Sequence, residues 1–230
     1  MSVAIITGAS RGLGQALAED LVGAGWDVVI DGRDGDALRA AADAMGPRAT
    51  AVPGDVRDGS HRLALVRAAE ALGGLHLLVN NASTLGPSPL PRLGDVDLDD
   101  VADVYAVNVV GPLGLVQLGL PLLRASRGAI VNVTSDAAVE AYEGWGAYGS
   151  SKAALDQVGN VLAVEEGDVR VWSFDPGDMR TEMHQAAFPG EDISDRPEPR
   201  EVVPAFRRLL SERPPSGRVR AADLLSAVSP

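Results

Sequence analysis

Three side chains in the second half of this sequence are of the types that move a proton at a carbon–oxygen bond. Tyr148 and Lys152 stand four residues apart, and on a helix that spacing puts two side chains on one face. A lysine cation beside a phenol favours the phenolate and lowers its pKa from about 10. A tyrosine tuned toward neutrality serves as a general acid or base. Ser135 comes earlier in the chain, and its hydroxyl can donate a hydrogen bond to a carbonyl oxygen or accept one from an alcohol. Taken alone, a Tyr-x-x-x-Lys pair is commonplace on helices, so its meaning depends on its surroundings.

A second group suits a phosphate ligand. The run Thr7-Gly8-Ala9-Ser10-Arg11-Gly12-Leu13-Gly14 follows the first apolar stretch. Glycines there let the chain turn sharply and let a ligand approach the backbone. A helix starting at that point offers free N–H groups and a positive dipole end to a pyrophosphate. Any strand-to-helix turn can use glycine, and this spacing departs from the usual Gly-x-Gly-x-x-Gly fingerprint. Its placement in a first βαβ unit is what points to a nucleotide. Two further polar features stand out. Asn108 is an amide in the apolar stretch 104–110 and needs a partner if buried. Asn80-Asn81-Ala82-Ser83 reads by itself as an Asx-type turn after a strand.

A scaffold must hold these groups, and the hydropathy pattern describes one. Residues 3–6 read as a short buried strand that stops at Thr7-Gly8. Apolar residues recur at helical spacing over 14–24, with Gly25 as a natural stop. Further strands are predicted over 26–31, 48–52, 75–80, 128–134 and 169–174, with 218–224 as a seventh. Helices are predicted over 36–45, 58–72, 98–123, 148–166 and 201–211. Alternating strands and helices demand crossover connections. The expected fold is therefore α/β: a Rossmann-type, doubly wound, mostly parallel sheet of about seven strands with helices on both faces. A length of 230 residues suits a single domain over 1–230. The stretches 84–97 and 183–200 look loop-like, and both follow strands on the side where ligands bind in open α/β sheets. The first reads equally as an ordinary surface loop.

The order Thr-Gly-x-x-x-Gly-x-Gly resembles the fingerprint of the short-chain dehydrogenase/reductase family. Asn80-Asn81-Ala82-Ser83, Asn108, Ser135, Tyr148-Gly149-Ser150-Ser151-Lys152 and Pro176-Gly177-Asp178-Met179-Arg180-Thr181 then follow in that family's order. The resemblance covers about residues 3–225. It implies catalytic roles for Ser135, Tyr148 and Lys152, with Asn108 helping to position the lysine and a proton-relay water. It implies that Gly8, Ser10, Arg11, Gly12, Leu13 and Gly14 hold a nicotinamide cofactor's phosphates, and that Asp55 and Val56 border its adenine. Asn81 and Ala82 would border the cofactor, Tyr148 and Lys152 its nicotinamide ribose, and Pro176, Gly177, Met179 and Thr181 its nicotinamide end. The segment 183–200 stands where the family carries its substrate lid. Two features depart from the pattern. Ser83 stands where the family has glycine, and the Asp-Gly-Gly tail of many members is missing, which bears on the last strand and its subunit contacts.

The second strand ends Ile30-Asp31-Gly32-Arg33. A 2′-phosphate needs a cation, whereas a free 2′-hydroxyl is best held by a carboxylate. By resemblance, members that prefer NAD place an acid where Gly32 stands, and members that prefer NADP place basic residues where Arg33 and Arg11 stand. Two arginines offer bidentate contacts to a phosphate, so NADP is the preferred cofactor and NAD the alternative. For NAD, Asp31 would reach the ribose if the strand ended one residue earlier. NADP is kept mostly reduced in cells, so carbonyl reduction is the expected direction, with NAD-dependent alcohol oxidation as the other reading.

Composition narrows the partners. A net charge of −12, spread along the chain, repels phosphate backbones and disfavours nucleic acid. Cysteine is absent, which excludes disulfides, thiolate nucleophiles and cysteine-bound metals. His61, His76 and His184 lack metal-ligand spacing, so no metal is expected. The first residues lack the features of a signal peptide, and apolar runs are broken by Gly, Pro or charge before they could span a bilayer. A cytoplasmic protein without a membrane partner is expected.

The partners left are a small carbonyl or alcohol substrate and, by resemblance, further copies of the chain in a homodimer or homotetramer built on 101–123 and 148–166. The first of these segments is apolar nearly all round, as is a helix buried on two sides or one wholly inside a monomer. Loop position suggests Asp136, Ala137, Glu140, Trp145, Asp178, Met179 and Met183 for the substrate pocket. Trp145 and the methionines suit an apolar or ring-shaped substrate, while Glu140 and Glu143 would repel anions. Two other functions share these motifs. Epimerases and dehydratases of similar type usually carry a separate C-terminal substrate domain, for which 230 residues leave no room. A non-catalytic cofactor-binding module would normally have lost Tyr, Lys or Ser.

Overall fold

The apolar run at the start of the chain is the middle of the sheet. In the computed structural model, which describes residues 1–226, β1 (Val3–Ile6) is fully buried between two parallel neighbours. It leads into α1 (Gly12–Gly23), β2 (Asp27–Gly32), α2 (Gly35–Met45), β3 (Ala49–Pro53), α3 (Gly59–Ala71) and β4 (Leu77–Asn80). The second half adds α4 (Leu98–Tyr105), α5 (Gly111–Ser126), β5 (Ala129–Val133), α6 (Gly146–Glu165) and β6 (Arg170–Asp175). It closes with α7 (Glu182–Ala187), α8 (Val203–Glu212), β7 (Gly217–Arg220) and α9 (Ala221–Ser226). Asp34, Asp58 and Asp97 start α2, α3 and α4 by accepting hydrogen bonds from N–H groups of the first turn.

The seven strands are all parallel and run in the order β3-β2-β1-β4-β5-β6-β7. Alternate side chains of each strand serve opposite faces. Ala4, Ile6, Val28, Ile30, Val79 and Phe174 pack with Leu13, Leu17 and Leu21 of α1 and Phe206 and Leu209 of α8. Val3, Ile5, Val29, Leu78 and Ile130 pack with Leu65 of α3, Leu115 and Leu123 of α5 and Leu162 of α6. Each wholly buried aliphatic side chain of this kind stabilises the fold by about 1.5–3 kcal/mol, so the doubly wound arrangement rests on both layers. The strand order reverses between β1 and β4. There the following loops part on opposite faces and leave a crevice at the C-terminal strand ends.

Three expectations need correcting. The segment 183–200 is not loop throughout: α7 occupies Glu182–Ala187, with Thr181 accepting the His184 N–H as its cap, and Pro199–Val202 forms a 3-10 turn. The predicted strand at 218–224 stops at Arg220, because residues 221–226 turn into α9. Finally, glycine and proline do not break the middle apolar stretch. Leu98–Ser126 is one helical run, long and apolar enough by length and composition alone to cross a membrane. Pro112, at the start of α5, and Pro121 both lie inside this run without ending it. The run includes a π-helical turn at Ala106–Val110. It lies against the sheet through Leu115, Val116 and Leu123.

Candidate active site

The glycine turn is built from close backbone contacts. Gly8 and Gly12 have φ of +64° and +60°, a region that side chains rarely adopt. A Cβ on Gly14 would stand 2.5 Å from both the Gly8 carbonyl oxygen and the Asn81 Nδ2. The turn after β4 locks the glycine turn from the side. Asn81 Nδ2 donates to the carbonyls of Thr7 and Gly8 at 2.8 and 3.0 Å. The Thr7 hydroxyl accepts the N–H groups of Asn81 and Ala82 at 3.0 and 2.9 Å. Arg11, the residue before α1, gives that helix no side-chain cap. The first N–H groups of α1 therefore face the crevice, the arrangement that suits an anionic group.

A cleft of about 1540 Å³ opens along the C-terminal strand ends. It brings together Gly8, Ser10, Arg11, Gly12, Leu13, Arg33, Asp55, Val56, Asn81, Ala82, Ser135, Tyr148, Lys152, Pro176, Gly177, Met179 and Thr181. Of the candidates from the sequence, Gly14 and Asn108 stand behind this surface. Gly14 packs beneath the turn. Asn108 is fully buried and all its bonds go to other segments: Oδ1 accepts from Ser83 Oγ at 3.1 Å and Thr84 N at 2.9 Å, and Nδ2 donates to Thr84 O and Ser151 Oγ, both at 2.9 Å. The expected link from Asn108 to Lys152 is thus indirect. It runs through Ser151, the neighbour of Lys152, while the other side of the amide pins the loop after β4.

Where Arg33 and Asp55 line the cleft, one expectation changes. β2 runs through Gly32, so Asp31 points beneath the glycine turn and is 1% exposed. One of its oxygens accepts the Gly8 N–H, and the other lies 3.0 Å from His61 Nε2. Asp31 is therefore a structural anchor and cannot hold a ribose hydroxyl. Arg11 pairs with Glu182 of α7, both side chains being exposed. Arg33 is exposed, and among the described residues it makes no side-chain hydrogen bond or ion pair. Asp55 lines the cleft, but its carboxylate is held at 2.9 Å by Arg57, whose guanidinium keeps it below the usual carboxylate range.

At the other end, Tyr148 and Lys152 sit on one buried face of α6, with the Lys152 Nζ 5.6 Å from the centre of the phenol ring. Lys152 Nζ donates to the Val133 carbonyl at 2.7 Å. Ser135 Oγ donates to Asp136 Oδ1 at 2.9 Å and accepts the Ala137 N–H at 3.2 Å. Electrostatics overturn the simple expectation for the pair. Burial pushes the Tyr148 phenol up to about 12, helped by Asp136 and Asp175, while the hydroxyls of Ser135 and Ser83 pull it down. Burial likewise lowers Lys152 to about 8, against the opposing charge of Asp156. Desolvation disfavours both charged forms, and it is the largest cause of both shifts.

Beside the phenol lies an aromatic wall. The Trp145 ring stands 5.6 Å from Tyr148 and 5.9 Å from Phe188, with Met183 packed nearby. Asp136, Trp145, Asp178, Met179 and Met183 line the cleft as expected from loop position, whereas Ala137 and Glu140 line a separate, smaller hollow of about 510 Å³. The sequence reading missed Ser83 as a partner of Asn108 and Tyr148, His61 as a partner of Asp31, and Arg218. A lone serine or histidine has no periodicity of its own, so no local signal marks it. The glycine cradle and the unengaged Arg33 fit a phosphorylated dinucleotide.

Residues 2–192 match the family model described as short chain dehydrogenase. Mouse sepiapterin reductase is 35% identical over 202 residues, covering 81% of this chain and 77% of that enzyme. Serine 3-dehydrogenase of Agrobacterium fabrum is 35% identical over 183 residues, covering 78% and 72%. Among solved structures, an alcohol dehydrogenase from Thermococcus sibiricus complexed with 5-hydroxy-NADP superposes with a TM-score of 0.86 at 25% identity, covering 96% of this chain and 95% of that one.

Proposed function

The chain belongs to the short-chain dehydrogenase family, and from that premise we propose that it reduces a ketone or aldehyde to an alcohol with NADPH, Tyr148 donating the proton. The observation that carries this reading is the convergence of Ser135, Tyr148 and Lys152 on the same cleft as the glycine turn. When bound, the nicotinamide supplies the hydride. Substrate oxygen takes hydrogen bonds from the Ser135 and Tyr148 hydroxyls. The phenol, whose pKa burial raises, carries a proton at neutral pH that it can donate to a carbonyl oxygen as general acid. Lys152, tied to the Val133 carbonyl, lies beside the phenol and would hold the nicotinamide ribose. Asn108 holds the loop at Ser83 and Thr84 against α6. Trp145, Phe188 and Met183 suit an apolar or ring-bearing substrate.

The preference for NADPH is supported by Arg33, which is free to meet a 2′-phosphate, and by Asp31, which is already engaged. The NADP analogue in the Thermococcus sibiricus structure is consistent with it. We further propose a homodimer or homotetramer, supported by Leu98, Val110, Val161 and Val164, which are exposed on the α4–α5 run and α6. A cytoplasmic setting, where nicotinamide cofactors are held, completes the proposal, with no nucleic-acid or membrane partner required. The test is a panel of ketones and aldehydes, followed by loss of NADPH absorbance. Turnover by the wild type, its loss in Tyr148→Phe and undiminished NADPH binding by that variant are expected. Turnover that survives Tyr148→Phe would remove the phenol from the mechanism.

A further inference from the structure

Arg218 stands on β7, the edge strand, yet its guanidinium reaches the wall of the cleft. Nη1 donates to Asp156 Oδ2 at 2.6 Å and to Thr134 Oγ1 at 3.4 Å. Nη2 donates to the Ser135 carbonyl at 2.9 Å and to Asp175 Oδ2 at 2.7 Å. Three separate elements thus meet on one side chain. Ser135 follows β5, Asp156 lies one turn beyond Lys152 on α6, and Asp175 ends β6 directly before Pro176-Gly177. The remaining oxygen of Asp175 accepts the Gly177 N–H at 3.0 Å. Asp156 has no other side-chain partner among the described residues, and its second oxygen is buried and unpaired. A planar guanidinium presents donors in a fixed fork, which a lysine ammonium cannot reproduce.

We propose that Arg218 is a positioning residue for the hydride-transfer reaction: it fixes the backbone at Ser135 and at the Pro176-Gly177 turn against the Lys152 segment of α6, and it neutralises the two carboxylates beside them. The proposal rests on reading Ser135, Tyr148 and Lys152 as catalytic. The charged and titratable groups around that pair are Asp156 on α6, Asp136 after β5, Asp175 on β6 and Arg218 on β7. The side chains of Asp156 and Asp175 are only 14% and 7% exposed, so water screens them weakly. Without Arg218 their charge acts directly on Lys152 and Tyr148, raising both, while Ser135 loses the donor that holds its carbonyl.

Lys152 is the only lysine in the chain, so lysine labelled with ¹⁵N and ¹³C gives one side-chain NMR signal whose pH titration needs no assignment. The wild type is expected to titrate near the value of about 8 set by burial. Folded Arg218→Gln is expected to titrate higher by ~0.5 pH unit or more, and Arg218→Gln with Asp156→Asn is expected to return toward the wild type. Arg218→Lys keeps the charge and loses the fork. Because it adds a second lysine signal, it is read by kinetics: it should lower kcat for the best carbonyl of the panel by roughly tenfold, with KM changed far less. If Arg218→Gln does not fold, Arg218→Lys and Asp156→Asn decide the matter, the latter by a downward shift. An unmoved Lys152 titration in Arg218→Gln, or in Asp156→Asn if that variant alone folds, overturns the electrostatic half of the proposal. Wild-type kcat in Arg218→Lys overturns the positioning half. If instead Tyr148→Phe keeps its turnover, it is the catalytic reading underneath that has failed.

Discussion

Asp31 Oδ2 lies 3.0 Å from His61 Nε2, and the other oxygen of the same carboxylate accepts the N–H of Gly8. A helix residue of α3 therefore supports the nucleotide turn through a single buried carboxylate. The space for the imidazole is made by Gly54, where a Cβ would stand 2.3 Å from His61 Nδ1. Replacing His61 by Leu leaves Asp31 buried with one partner fewer. A buried polar group stripped of a partner costs about 1–3 kcal/mol, so His61→Leu should lower stability in urea by that amount. NADPH binding should weaken as well, because Asp31, which accepts the Gly8 N–H, is no longer held from its other oxygen. An unchanged urea midpoint together with unchanged binding would show the contact to be incidental.

The close approach at Gly14 makes a sharper prediction. A methyl group there would meet backbone and an amide already committed to two carbonyls. Gly14→Ala should destabilise the fold by about 1–3 kcal/mol and abolish measurable NADPH binding. Gly167→Ala, at a site with nothing within 4 Å of the added carbon, is the control and should bind normally. Thermal melts and cofactor titration of the two variants side by side make the comparison.

Arg33 and Arg11 both line the cleft, and among the described residues only Arg11 is already paired, with Glu182. Arg33→Gln should therefore cost more of the preference for NADPH over NADH than Arg11→Gln. A loss of at least tenfold, about 1.4 kcal/mol, is expected for Arg33→Gln. Equal losses would mean that Arg11 leaves Glu182 to join the phosphate.

Lys152 leaves a mark on stability against pH. Its folded-state pKa of about 8 lies below the ordinary value of 10.5. Below about 8 the lysine is charged in both folded and unfolded chains, and the full cost of burying the charge is present. Between about 8 and 10.5 the unfolded chain binds the proton and the folded chain does not, so stability rises with pH. The gain amounts to roughly 3 kcal/mol at most. Tyr148 acts oppositely. With its pKa raised to about 12, the folded chain keeps a proton that the unfolded chain releases above about 10, so stability falls there. Urea melts of the wild type and Lys152→Met should diverge in the first window, the wild type gaining relative to the variant. Parallel curves from pH 8 to pH 10 would contradict the burial account of Lys152.

Much of the fold was legible because its signals are local. The buried run Val3–Ile6 and the glycine turn each announce an element within a few residues. Tyr148 and Lys152 were readable for the same reason, since four residues of helix fix their relation. Contacts between distant segments were not. Asp31 and His61 are thirty residues apart in sequence, and Arg218 is 83 residues from the Ser135 carbonyl that it holds. Nothing in either neighbourhood signals the partner. The direction of the phenol's shift was not legible for a related reason: spacing revealed the nearby cation, whereas the burial that raises the phenol comes from the whole tertiary structure. The helix at Glu182–Ala187 was hidden in a stretch whose prolines and acids read as loop.

Titration of the purified protein with NADPH and with NADH, followed by fluorescence at moderate salt, tests the central claim most directly. NADPH binding at least tenfold tighter than NADH binding, about 1.4 kcal/mol, is the result predicted from the glycine cradle, Arg33 and the engaged Asp31. Preference for NADH would contradict the assignment of the adenosine end, and failure to bind either cofactor would contradict the proposed function as a whole.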